Sequence, residues 1–333
     1  MKIAVFGAGS IGAYVGGSLL SAGAEVILIG RARMRERIAR EGLLLTDLFA
    51  HRITLTAARI PYSEQPSAMA GAGLILVTVK SADTPAAAAA ILNHAPAGAV
   101  VLSLQNGVGN VEVLRAALPG YCVVAGMVPF NVVPTPDGRL HRATGGEMMT
   151  ETSAALTPWL SLFEQAHLPL VQRDNFAAVQ WGKLLINLNN SVNALSGLPI
   201  RAQLSQRGYR RCFAAMIEEA LAILHAAGLR PAKVARLGPA MMVRVLRLPD
   251  ALFTRVASAM LRIDPEARSS MWEDLQAGRR TEVDFINGAV LHMAQSLGRD
   301  APLNRRMVAL IREAESGGAG ALDGAALYRK LTC

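Results

Sequence analysis

The segment from Lys2 to Gly12 constrains this chain of 333 residues more than any other. Lys2-Ile3-Ala4-Val5-Phe6 is apolar after its first residue, and it runs straight into Gly7-Ala8-Gly9-Ser10-Ile11-Gly12. That order predicts a buried parallel strand, a tight turn and a helix start. In the G-x-G-x-x-G spacing the first glycine permits the turn. The second lets a phosphate approach the backbone, and the third lets the helix lie close on the strand. The helix N-terminus then points its unpaired N–H groups and its dipole at the phosphates. Gly7, Ala8, Gly9, Ser10, Ile11 and Gly12 are therefore expected to cradle a dinucleotide. The stretch Ile3 to Ala24 carries no charge, but Gly16, Gly17 and Gly23 also interrupt it, so neither a signal peptide nor a membrane span is expected.

A second strand, Glu25 to Ile29, follows at the spacing of a βαβ unit and ends in Gly30-Arg31. An acidic residue at that position would accept the ribose hydroxyls of NAD, whereas arginine favours a ribose 2′-phosphate and hence NADP. The alternative is that Arg31, with Arg33, Arg35 and Arg37, forms the solvated face of the next helix. Further apolar runs, Gly73 to Val79, Ala99 to Leu104, Cys122 to Val128 and Leu168 to Gln172, continue a doubly wound sheet. Past Asp174 the pattern changes to helical periodicity over Asn175–Ser196, Arg207–Ala227 and Arg268–His292 and beyond. The expected fold is α/β: an N-terminal Rossmann-type doubly wound sheet over residues 1–174, followed by an all-helical C-terminal domain over 175–333. A small-molecule site is expected to draw on both.

Composition removes several alternatives. With 52% hydrophobic and 18% charged residues the chain is neither disordered nor a small stapled scaffold. Lys+Arg 34 against Asp+Glu 25 leaves a net charge of +9, yet the arginines are scattered and aromatic residues make up only 5%. No basic stripe or stacking platform for nucleic acid is expected. Cys122, Cys212 and Cys333 are distant and odd in number, which fits a reducing compartment, and the six histidines never fall at the helical i, i+4 spacing of a zinc site. No metal is expected, and the cytoplasm is the expected location. Met241-Met242 and the leucines from Leu246 to Leu252 read as core, with a homodimer face as the alternative.

The sharpest chemistry lies in Trp181-Gly182-Lys183-Leu184-Leu185-Ile186-Asn187-Leu188-Asn189-Asn190-Ser191. On one continuous helix Lys183, Asn187, Asn190 and Ser191 would form a narrow polar stripe among leucines. Burial disfavours a charged lysine and lowers its pKa, which makes it a proton donor near neutral pH; arginine could not release its proton. The chain has only five lysines, so this choice is informative. Periodicity alone also allows a lysine that snorkels to solvent. A second polar cluster follows in Ser269-Ser270-Met271-Trp272-Glu273-Asp274 and Thr281-Glu282-Val283-Asp284, which could equally be a capped helix start with charged turns.

Taken in order, G-A-G-S-I-G, V-T-V-K at Val77–Lys80, Q-N-G-V-G at Gln105–Gly109, K-x-x-x-N at Lys183–Asn187, and S-S-M-x-x-D with T-E-V-D resemble the ketopantoate reductase family over nearly the whole chain. The resemblance implies reduction of 2-ketopantoate to pantoate with NADPH, on the route to pantothenate and coenzyme A. It implies Lys183 as general acid and Glu282 beside it, near the ligands. Asn187, Ser191 and Ser270 would bind substrate, Asn106 would sit where nicotinamide and substrate meet, and Arg31 and Lys80 would lie near the adenosine end of the cofactor. Two features depart from the family pattern. Ser191 stands where the family often has asparagine, and Gly228–Asp264 is longer than the simplest members require. Reduction of a different 2-keto acid is therefore the nearest alternative, with a non-catalytic NADP-binding protein behind it.

Overall fold

The computed structural model describes all residues except 136, 234–236, 258–264 and 319. The chain forms two compact units, Met1–Phe176 and Ala177–Cys333. Unit 1 carries, in order, β1 (Lys2–Phe6), α1 (Ser10–Ser21), β2 (Glu25–Ile29), α2 (Ala32–Glu41), β3 (Leu43–Asp47), β4 (Arg52–Leu55), β5 (Tyr62–Ser63) and β6 (Ala72–Val77). It continues with α3 (Thr84–His94), β7 (Val100–Ser103), α4 (Asn110–Ala117), β8 (Cys122–Met127), β9 (Val132–Pro134), β10 (Arg139–Arg142), β11 (Met148–Glu151), α5 (Thr157–Gln165) and β12 (Leu170–Arg173).

Eight of these strands form one sheet in the order β5-β2-β1-β6-β7-β8-β11-β12. It is parallel except where β11 runs antiparallel to β8. The central strands are apolar throughout because helices cover both faces: Ile3, Ala4 and Val5 of β1 and Leu74 to Val77 of β6 are fully buried. The chain leaves β1 for β2 on one side and returns as β6 on the other. That reversal opens a crevice beyond the strand ends, where open α/β sheets bind ligands. A second sheet, in the order β4-β3-β10-β9, was not expected from the sequence. Its strands are three to five residues long, and Leu43-Leu44-Leu45 follows α2 so closely that it reads as a continuation of that helix.

Unit 2 is helical: α6 (Phe176–Asn187, beginning at the last residue of unit 1), α7 (Asn189–Ser196), α8 (Ile200–Ser205), α9 (Arg207–Ala226), α10 (Pro239–Leu246), α11 (Asp250–Val256), α12 (Ser270–Gln276), α13 (Val283–Ser296), α14 (Pro302–Glu315) and α15 (Gly324–Thr332). The 20-residue α9 is its spine and packs on α7, α8, α10, α13, α14 and α15. Cys212, Ala214, Met216, Ile217 and Ala220 of α9 are wholly enclosed, and burial pushes the Cys212 thiol up to about 12. Arg210 is also fully buried; it donates to the carbonyls of Leu204, Leu246 and Leu248 and to Asp250. Two single periodicities read from the sequence are each divided. The first breaks at Leu188, between α6 and α7. The second breaks after Gln276, where Gly278 takes φ +60 and its N–H bonds Leu275 O, closing the helix end.

The Gly228–Asp264 stretch lies partly outside the described residues. Its described part contains α10 and α11, and the reading of Met241 to Leu252 as core holds on one face only. Met242 and Leu246 are buried, while Met241 and Leu252 are about half exposed, because an amphipathic helix turns neighbouring positions to opposite sides. Among the described residues no helix is long and apolar enough to cross a membrane, and no cluster of three His, Cys, Asp or Glu could hold a metal ion.

Candidate functional site

Unit 1 presents a phosphate cradle at the C-terminal end of β1. Gly7 adopts φ +112, and the N–H groups of Gly7 and Ala8 both bond Ile29 O at 2.9 Å, which turns the chain sharply onto α1. A Cβ on Gly12 would lie 2.3 Å from Gly7 O and 2.6 Å from Thr78 Oγ1, so only glycine lets α1 approach this closely. At Gly9, by contrast, a Cβ would meet nothing nearer than 4.0 Å: the space beside the exposed backbone is open. Gly9 caps α1 without a side-chain hydrogen bond, and the first turn holds no acidic residue. The α1 N-terminus therefore keeps its positive field for an outside anion. Thr78, the residue after β6, fastens the turn by donating to Gly7 O at 2.8 Å.

Arg31 stands at the end of β2 beside this loop and caps α2. Its side chain is 87% exposed and pairs with Asp83 at 3.2 Å, and its carbonyl accepts from Tyr62 Oη at 3.0 Å. Burial raises the Tyr62 phenol to about 12, so it stays a donor. Gly30 is wedged between this phenol and Ala8, 2.5 and 2.9 Å from where its Cβ would be. Lys80 is exposed in the loop after β6, and the part-exposed Asn106 lies in the loop after β7. The strands are parallel neighbours, so both loops open at the same sheet edge as the glycine turn. An open glycine turn, an uncapped helix start and an arginine after β2 fit a dinucleotide.

Unit 2 holds the polar residues singled out around Lys183. Lys183 sits on α6 between Gly182 and Leu184, both buried, and keeps partial solvent contact. Protein surrounds its ammonium closely enough for burial to lower its pKa from 10.5 to about 8, and the nearby Glu282 carboxylate opposes that shift. Glu282 is the partly exposed N-cap residue of α13, so the charge that acts on Lys183 of α6 comes from a second helix. Asn187 ends α6 and Asn190 opens α7, both partly exposed.

The polar stripe differs from expectation at Ser191. This side chain is fully buried, and its hydroxyl donates to Leu188 O at 3.0 Å. Leu188 is the N-cap of α7, and Ser191 bonds back to its carbonyl within the first turn. Ser191 therefore spends its donor on the backbone at the α6–α7 joint. Ser269 is the cap foreseen for α12, accepting from Trp272 N at 3.2 Å and donating to Asn190 O at 3.1 Å. Ser270, the next residue, is exposed at the first position of α12.

Several residues here escaped the sequence reading. Asn193 Oδ1 accepts from Ser269 N at 2.9 Å and its Nδ2 donates to Leu198 O at 2.9 Å, which joins α12 to α7. Asn189 and Gln203 exchange two buried hydrogen bonds. The available signal was the pair Asn189 and Asn193, four residues apart among buried apolar positions.

Comparisons with known proteins cover both units. Residues 3–153 match the family model described as ketopantoate reductase PanE/ApbA, and residues 175–315 match its C-terminal counterpart. A 2-dehydropantoate 2-reductase of Halobacterium salinarum is 28% identical over 325 residues, covering 96% of this chain and all of that one. A crystal structure of a PanE/ApbA family ketopantoate reductase from Ralstonia eutropha is 32% identical, with a TM-score of 0.80 and coverage of 96% and 99%. A D-mandelate dehydrogenase solved with NADH and anilino(oxo)acetate shares the fold at 19% identity, with a TM-score of 0.76 and coverage of 95% and 99%.

Proposed function

The chain belongs to the ketopantoate reductase family, and on that premise we propose that it reduces 2-ketopantoate to pantoate with NADPH, Lys183 supplying the proton. Its class is an oxidoreductase acting on a CH–OH group. The observation that carries the proposal is Lys183: a lysine on an apolar helix, its pKa lowered to about 8 beside Glu282. A general acid works best when its pKa lies near the working pH.

When bound, the reduced nicotinamide supplies a hydride to the keto carbon. As the C=O π pair moves onto oxygen, Lys183 Nζ delivers its proton there, leaves as the neutral amine and regains a proton from solvent. Glu282 holds the ammonium charged and aimed until that moment. The Gly7–Gly12 turn holds the pyrophosphate, Asn106 contacts the nicotinamide and Asn187 and Ser270 hydrogen-bond the substrate. Arg31, which pairs with the exposed Asp83, would hold the ribose 2′-phosphate, and Lys80 would serve the adenosine end of the cofactor. Arg31→Ala is expected to weaken NADPH binding and spare NADH, as measured by fluorescence titration; equal weakening of both would place Arg31 elsewhere.

A second reading has one observation in its favour. Ser191 replaces an asparagine common in the family and turns its hydroxyl into the helix joint, which removes one amide from substrate recognition. A different 2-keto acid would then be preferred, since sites built for hydrogen bonds discriminate strongly. The deciding experiment follows nicotinamide oxidation by absorbance with NADPH or NADH, offering ketopantoate and simpler 2-keto acids. Fast turnover of ketopantoate with NADPH supports the proposal. Turnover of another keto acid alone keeps Lys183 chemistry and replaces the substrate.

A further inference from the structure

Two loops of unit 1 are tied together by buried side chains that the reaction described above does not use. Ser81 and Thr84 follow β6; Ser103, Gln105 and Asn110 belong to the end of β7 and the start of α4. All five are buried, the most accessible being Gln105 at 7%. Ser103 Oγ donates to Gln105 Oε1 at 3.1 Å, and Gln105 Nε2 donates to Val79 O at 3.1 Å and Thr84 Oγ1 at 2.7 Å. Thr84 Oγ1 donates to Asn110 Oδ1 at 3.0 Å. Asn110 Nδ2 in turn donates to Ser81 Oγ at 3.1 Å and Asn106 O at 2.7 Å, and Ser81 Oγ donates to Asn106 O at 3.1 Å.

The direction of every bond is determined. The Val79 and Asn106 carbonyls can only accept, which sets the amides of Gln105 and Asn110 and then the hydroxyls between them. Each amide proton and each side-chain oxygen that the chain uses has one assignment. A buried network satisfied in this way holds a single geometry, and one lost donor leaves several desolvated groups without partners. Its end point is the Asn106 carbonyl, which receives two donors. They fix the peptide plane after Asn106, and so the backbone from which its side chain starts.

We propose that Asn110, acting through the Asn106 carbonyl, is a positioning residue for the reduction. The inference rests on the reading that Asn106 meets the nicotinamide and the substrate. Asn110 reaches back four residues from the first turn of α4, so a rigid helix, not the loop itself, sets where Asn106 points. Gln105 and Thr84 extend the same frame to Val79, next to Lys80, and hold the two loops at a constant separation.

Steady-state kinetics and dinucleotide titration of Asn110→Asp, Asn106→Ala and the double variant test this. Asn110→Asp keeps the volume and the acceptor for Thr84 while removing both N–H donors. Its kcat is expected to fall about 10- to 100-fold, the loss typical of a misplaced reacting group, with the dinucleotide Kd nearly unchanged. The double variant should be no slower than Asn106→Ala, because both changes remove the same contribution. Thr84→Ser should recover the turnover that Thr84→Val loses. A near-normal kcat in Asn110→Asp alongside a slow Asn106→Ala would overturn the positioning role, and so would strictly multiplicative losses in the double variant. Full activity of Asn106→Ala would overturn the reading of Asn106 and the proposal with it. Should Asn110→Asp not fold, Ser81→Ala, which removes one of the two donors, decides: lowered kcat at unchanged Kd supports the proposal, and normal kcat overturns it.

Discussion

Lys183 shows how one side chain is tuned by two opposed effects. Burial withdraws water from the ammonium and lowers its pKa to about 8; Glu282 returns part of that loss. With Lys183 as the proposed acid, the protonated form is the active one in the reducing direction, so turnover should be full below about pH 8 and fall by about tenfold per unit above it. Removing the carboxylate removes the influence that raises the pKa. Glu282→Gln is therefore expected to move the falling limb to lower pH, and a limb that stays in place would separate Glu282 from the lysine. In alcohol oxidation the neutral amine is required, and the same region should show a rise. Lys183→Ala should lower kcat by about 10² to 10⁴ while leaving the dinucleotide Kd nearly unchanged, because the proposed role of the amine is on the reacting oxygen and not on the dinucleotide. A loss of only a few-fold would remove Lys183 as the acid.

Helix starts and joints carry the precision around these groups. Asn193 pins the first residues of α12 to α7 through the Ser269 N–H and also holds Leu198 O. Asn193→Ala leaves a buried N–H and a carbonyl without partners, a cost of about 1–3 kcal/mol for such a group. The expected result is a lower melting temperature together with a raised KM for the keto acid, since Ser270 loses its anchor, and an unchanged Kd for the dinucleotide. Unchanged KM would make the joint purely structural. Such joints explain what the sequence could and could not disclose. β1 and β2 were legible to the residue because a parallel strand covered on both faces must be continuously apolar. The glycine turn was legible because its spacing is a steric requirement. The second sheet was not, since strands as short as Val132–Pro134 and Arg139–Arg142 carry too few alternations to register. The stripe on α6 was legible up to Asn187. Beyond it the single helix read from the sequence divides at Leu188, and a hydroxyl that bonds backbone, as Ser191 does, looks identical in sequence to one that meets substrate. The Asn110 network was hidden for a related reason: its partners come from two loops some 25 residues apart, joined only when β6 and β7 pair.

Across the full chain, the excess of 34 basic over 25 acidic residues is left without a single destination. Arginines pair locally with carboxylates in both units, as in Arg35–Glu64, Arg115–Glu151, Arg210–Asp250 and Arg312–Asp284. The exposed ones among them add little stability, and the effect of all is to disperse the charge, although Arg210 is itself buried. What remains is a net +9 felt at a distance by anions. Both proposed ligands are anions, the dinucleotide through its phosphates and the keto acid through its carboxylate. Capture should therefore be faster at low salt, where the Debye length exceeds about 10 Å, and slower as added ions screen the field. Raising ionic strength should lower kcat/KM for NADPH severalfold and lower it less for NADH, which lacks the 2′-phosphate. The saturated kcat should stay level, because proton and hydride transfer follow capture. Measuring kcat/KM and kcat for both dinucleotides across a salt series separates these quantities. A kcat/KM that ignores salt would mean that the excess charge does not steer ligands. Equal slopes for the two dinucleotides would mean that it acts on the molecule as a whole and that Arg31 does not recognise the 2′-phosphate.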